Sequence, residues 1–309
     1  MKHHRLRNQV INCLERSWKR DLQKGDQVIN FLISIYDRFR TEGLADDHFE
    51  IELTSGDPNT YTQRMSELLL AEMLWSDGFN LSSNAKGPDF KATKAGRSAW
   101  IELVTPAQSA ELAGLLTPVP GGTLLRSFPH EEINLRWTSA ISEKSQKLMG
   151  DALGKKKGYI ADGIVDPNDI FIIAVNSRLL ERSPSGGLYG VSQFPAPVEV
   201  LFGIGPIEVV LSRETGDIED QRNQHRPVLI KKKTGAAIPS NTFLDPHYSQ
   251  ISSVLGLSLI EATSLGYGHF SELVHNPQAL NPTPPGWFTG TREWMCDLEV
   301  DHYSVYPVP

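Results

Sequence analysis

Cysteine is nearly missing: Cys13 and Cys296 are the only two, far apart, with no second metal-ligating residue spaced near either. They imply neither a disulfide framework nor a zinc site, and a reducing compartment is the expectation. Long apolar runs are missing too. None approaches the roughly 20 residues that a membrane-spanning helix needs, and the basic opening MKHHRLRNQV leads into no apolar leader core. A cytoplasmic protein without a membrane partner is expected. Positive charge is in short supply: 30 Lys and Arg stand against 37 Asp and Glu, a formal net charge of −7. That excludes broad, indiscriminate binding to nucleic acid, because phosphate affinity comes from basic side chains. Internal repeats and low-complexity tracts are also lacking.

What is present is an ordinary globular composition, 39% hydrophobic and 22% charged over 309 residues. The basic residues are unevenly placed, clustering at 2–7, at 144–157 and at 222–233. Each cluster is a solvated face unless folding brings it to a common groove.

The most informative stretch is 87–106, GPDFKATKAGRSAWIELVTP. Two strand-like runs flank the turn signal Lys94-Ala95-Gly96-Arg97, the form of a β-hairpin. A two-residue loop at Ala95-Gly96 pairs Lys94 with Arg97 and, in the same register, Asp89 with Glu102. Facing acids at about 4.5–5.5 Å repel. Glu102 is also the only charge in the run 99–104, and a lone buried carboxylate must be paired, protonated or metal-bound. Two converging carboxylates suit Mg2+, which takes one or two from a protein and completes its shell with water and phosphate oxygens. A bulge in the hairpin would instead turn both acids to water.

Around this hairpin the apolar spacing predicts two helices over about 10–43, a half-exposed strand at 49–53 with Glu50 and Glu52 facing solvent, and a buried helix over about 60–77 opened by a Thr60/Gln63 capping box. That helix carries Glu67 and Glu72 on different faces, and periodicity does not choose between them. The Pro- and Gly-rich stretch 117–122 reads as a loop. A helix over about 131–153 places Lys144 at the centre of its apolar stripe, where it either snorkels outward or points its ammonium at a buried anion. Arg136 and Lys147 share one flank. The run 169–175 reads as a central strand. After Ser183 short β-like runs follow at 198–204, 207–211, 228–230 and 252–260, and the end, with Pro277, Pro282, Pro284 and Pro285 close together, reads as an ordered but irregular tail. The histidines have no metal-ligand spacing. The succession suggests an α/β architecture.

A helix glutamate (Glu67), a Pro88-Asp89 pair, Glu102-Leu103-Val104 on the next strand and a following helix with Arg136 and Lys144 together resemble the PD-(D/E)xK, or restriction-endonuclease-like, nuclease superfamily over roughly residues 60–177. The resemblance implies a mixed central β-sheet flanked by helices, a core at 57–182 with a helical extension at 1–56 and a β-rich extension at 183–309. It implies Asp89, Glu102 and Glu67 as ligands of Mg2+, with Mn2+ as substitute. Lys144 would act as the catalytic lysine, migrated from the position held by Val104, and Arg136 and Lys147 would hold substrate phosphate. The expected activity is hydrolysis of phosphodiester bonds, in DNA, by a metal-activated water, with a homodimer as one assembly. The alternative is an inactive module on the same scaffold that binds nucleic acid or a protein, to which the Val104 departure points.

Overall fold

The computed structural model describes residues 2–18, 25–84, 86–116, 128–151, 154–180, 187–265, 268–300 and 302–309. The loop expected at 117–122 lies outside them, as do the side chains at 2–6 that carry most of the first basic cluster.

Two helices, α1 (Lys2–Trp18) and α2 (Gly25–Thr41), open the chain as their spacing predicts. The expected strand at 49–53 is instead a short helix, α3 (Phe49–Leu53). Five residues fit either period, and burial decides: Phe49 and Leu53, four apart, share the core while Ile51 is exposed. Glu50 does not face solvent. It is buried and bonded by Arg40 and the Tyr36 hydroxyl. The next helix, α4 (Pro58–Ser76), starts with Asp57 as its cap, accepting from Thr60 N at 2.7 Å, and not with a Thr60/Gln63 box. Pro58 in the first turn is preset for the helix. Gln63 is used elsewhere, accepting the Thr105 amide at 2.9 Å.

The hairpin follows: β1 (Asn80–Ser82) pairs with β2 (Phe90–Lys94), which pairs with β3 (Arg97–Val104). Its register is the one read from the sequence, with Lys94 opposite Arg97 and Phe90 opposite Ile101. Ala95 and Gly96 both have positive φ (52° and 74°), the conformation of a type I′ turn. Then come α5 (Ala110–Leu116), α6 (His130–Met149) and β4 (Ile170–Asn176).

The run expected as a strand at 198–204 is mostly helix, α7 (Ala196–Phe202), capped by Gly203 at φ 67°. All seven residues are buried, and a short continuous apolar run looks the same whether it is a core helix or a core strand. Two small ribbons follow, β5 (Ile204–Leu211) with β6 (Ile218–His225) and β7 (Val228–Ile230) with β8 (Ala237–Pro239). The strand-like run at 252–260 is β9 (Ser253–Ser258), and the end is no irregular tail: β10 (Phe270–His275), β11 (Arg292–Leu298) and β12 (Tyr303–Pro307) are strands. Pro277, Pro282, Pro284 and Pro285 sit in the link between β10 and β11, which run parallel and so need a crossover.

The result is a mixed α/β fold around one eight-stranded sheet, ordered β1-β2-β3-β4-β9-β10-β11-β12. Strands β3, β4 and β9 are mutually parallel in its middle. Alternation along them sends Ile101, Leu103, Ile172 and Leu255 into one core with α1, α2 and α4. Trp100, Phe171, Ile173 and Val254 enter another with α6 and α7. Among the described residues no helix is long and apolar enough to cross a membrane.

Candidate functional site

Strand alternation fixes where Glu102 points. Its neighbours Ile101 and Leu103 fill the α4-side core, so Glu102, like Trp100, faces α6. It is 2% exposed. Burial of that carboxylate is offset from α6: Lys144 and Lys147 both donate to its Oε1 at 2.9 Å, and the Tyr159 hydroxyl donates to Oε2 at 3.3 Å. Lys144, at the centre of the apolar stripe, does not snorkel. It is buried, with its ammonium on the acid, a contact strong in a low-dielectric setting and costly to break from one side.

Tyr159 went unnoticed in the sequence because it lies in an aperiodic segment. The chain there folds back on the end of α6, with Tyr159 N donating to Lys147 O at 2.8 Å. Only glycine permits the approach: a Cβ at Gly158 would lie 2.3 Å from Leu148 O.

Asp89 precedes β2 by one residue and accepts the Leu103 amide through Oδ2 at 2.6 Å, which seats it beside Glu102. Burial and the charge of Glu102 push its pKa up to about 6, although Lys144, the Leu103 amide and Lys147 pull the other way. Burial also opposes the charge on Lys147, but the Glu102 carboxylate outweighs it and raises that pKa above the usual lysine value. The Tyr159 hydroxyl is raised by burial and then by Glu102.

Glu67, buried on α4, is the glutamate turned to the site; Glu72 instead accepts from Ser76. Burial and then the charge of Asp89 push the Glu67 carboxyl up to about 8. It accepts from Arg64 Nη1, at 3.2 Å on Oε1 and 3.0 Å on Oε2. Arg64 also contacts Glu52 at 2.6 Å and Asp46 at 3.1 Å. Sequence reading passed over Arg64, although its i,i+3 spacing to Glu67 was visible.

Asp89, Glu67, Lys144, Lys147 and Arg136 line one cleft of about 560 Å³, with Glu102 just beneath its floor. Two polar atoms in its wall, Arg136 Nε and Thr105 Oγ1, are buried without a hydrogen-bond partner among the described residues. The structure thus brings the expected residues together, Glu67 and Lys147 among them already ion-paired. Glu67 is held by Arg64, and Lys147 rests on Glu102.

For a divalent cation the donor set is as follows. Among the described residues no group of three or more His, Cys, Asp or Glu forms a ready ligand set. Asp89 and Glu102 are two neighbouring carboxylates, a number that suffices for Mg2+ when water and phosphate oxygens supply the rest. The raised carboxyls of Asp89 and Glu67 mark a site where added positive charge is favourable. The donor chemistry fits a hard cation.

Compared with models of protein families, with curated proteins and with solved structures, the chain matches none.

Proposed function

We propose that the chain is a Mg2+-dependent nuclease of the restriction-endonuclease-like kind that hydrolyses phosphodiester bonds, with DNA as substrate. The observation carrying this reading is Asp89 in the cleft with Glu102 just beneath it and the Lys144 ammonium on the Glu102 carboxylate. A bound cation would supply Lewis acidity to the phosphoryl oxygen and a lowered pKa to the attacking water. Asp89 and Glu102 would hold it. Lys144, fixed by α6, would carry positive charge to the reacting phosphate. Arg136 and Thr105 offer unpaired donors to its oxygens. Lys147, with 46% of its side chain exposed against 8% for Lys144, is the ammonium free to swing from Glu102 to a flanking phosphate.

The test incubates purified protein with linear and supercoiled DNA, with and without Mg2+. Cleavage requires the cation, and Asp89→Ala and Lys144→Met each reduce its rate by about 100-fold or more. Absence of cleavage by the wild type, or undiminished cleavage by Asp89→Ala, rejects the reading.

One observation favours a non-catalytic module on this scaffold: Glu102 already has two ammoniums and a hydroxyl as partners. Titration calorimetry separates the two readings. A nuclease gives Mg2+ binding heat that Glu102→Gln abolishes, and a binding module gives none.

A further inference from the structure

The cleft of the candidate site does not end at its own walls. A second cleft of about 650 Å³ adjoins it, sharing Glu143 and Lys147 and lined by Lys86, Lys156 and Lys157 beside Asp151 and Asp162. A third, of about 310 Å³, adjoins it at Arg136 and Ser139 and is lined by Lys231, Lys232 and Lys233 facing Glu111, Glu131 and Glu132. All three border α6, the first at its middle and the others towards its two ends. From Glu132 to Lys147 that helix rises about 22 Å at 1.5 Å per residue. This equals roughly six steps of a nucleic-acid strand at 3.4 Å each.

We propose that a nucleic-acid strand lies along α6 in this trough, held by the lysines at its two ends and continuing past the Asp89–Glu102 site on both sides, so that cleavage falls at interior phosphodiester bonds. The proposal rests on the nuclease reading above. It turns two of the three basic clusters of the sequence into the walls of one groove.

At one end, Lys156 and Lys157 are exposed and make no ion pair among the described residues. The other end is the turn between β7 and β8. It is tied down by Lys232 on Glu132 at 2.6 Å and Lys233 on Glu111 at 2.7 Å. Those lysine side chains are 71% and 82% exposed. The Lys233–Glu111 pair is exposed on both sides, so it contributes little to stability, is screened by salt and can exchange its glutamate for phosphate, while Lys232 keeps most of its own ammonium in water beside the largely buried Glu132. Between the ends, Arg136 Nε at the junction of the first and third clefts and Thr105 Oγ1 in the wall of the first lack a partner among the described residues. A buried donor without an acceptor is costly, and a phosphate oxygen in the trough removes that cost. An enzyme that works from strand ends needs a wall or a terminal-phosphate pocket on one side of its site; here the groove carries cations on both.

Two measurements test this. The first offers covalently closed circular single-stranded DNA beside its linear form, with Mg2+. The expected result is cutting of the circle at a rate within a few-fold of the linear strand; degradation of linear DNA alone overturns the proposal. The second measures anisotropy of a labelled 20-nucleotide strand without divalent cation. Lys156→Glu/Lys157→Glu and Lys231→Glu/Lys232→Glu each weaken binding tenfold or more. They also flatten the slope of log K against log salt by about 0.7 per lost contact. Arg97→Glu, at the far end of the hairpin from Asp89, leaves binding unchanged. Variants that bind as the wild type does overturn the trough even where the wild type cuts DNA. Polyglutamate competing as well as DNA overturns the choice of nucleic acid. Trough-dependent binding without cleavage of either form fails the nuclease reading, and with it the inference of interior cutting, while leaving the strand's path in place.

Discussion

At the scale of single residues, the cluster holds two carboxyls whose protons are bound more tightly in the folded protein than in the unfolded chain. Asp89 titrates near 6 and Glu67 near 8 when folded, against about 4 for both in the unfolded chain. Folded protein therefore carries the extra protons between those limits, and metal-free stability falls as pH rises from about 4 to about 8. The contribution of Asp89 is on the order of 3 kcal/mol at 1.36 kcal/mol per unit. Urea unfolding of chelator-treated protein checks this. Glu67→Gln removes the fall between pH 6 and 8, and Mg2+ at pH 8.5 restores stability to the wild type; parallel pH profiles for wild type and variant would contradict it. Glu102 and Lys144 were legible in sequence because a charge inside an apolar strand or at the centre of an apolar stripe has no inexpensive place to go. Tyr159 and Thr105 were not legible: a hydroxyl in an aperiodic segment looks like any other until the fold closes around it.

At the scale of elements, the hairpin was readable down to its register because a two-residue turn leaves one pairing frame. The turn is imperfect. Ala95 holds a left-handed conformation, φ 52°, that costs an alanine about 1 kcal/mol and suits asparagine better. Ala95→Asn should raise stability by roughly 0.5–1 kcal/mol in thermal unfolding without altering the Asp89 end of the hairpin; a loss of stability would show that the turn is not of the primed type. The helices α3 and α7 defeated sequence reading for a different reason. Both are short, and their apolar residues fit a strand's period or no period. Only the surroundings, Arg40 and Tyr36 around Glu50 and the two-sided burial of α7, select helix.

At the scale of the whole molecule, strand order was the part least visible. Nothing local says that β9 inserts beside β4, because a parallel pair has no connecting turn to announce it. That neighbour relation ties the region after residue 183 into the middle of the sheet, and α1 and α2 close one of its faces. Residues 57–182 expressed alone should therefore fail to fold cooperatively, giving no sharp unfolding transition by circular dichroism and binding a hydrophobic dye. A fragment that melts sharply would show the sheet to be divisible. The same β4–β9 pairing, joining positions about 80 residues apart, also sets a timetable for synthesis. At about 5–20 residues per second, β4 leaves the ribosome several seconds before β9 has been translated. The nascent chain thus displays a bare apolar strand edge for that interval, when protection by a holding chaperone matters most.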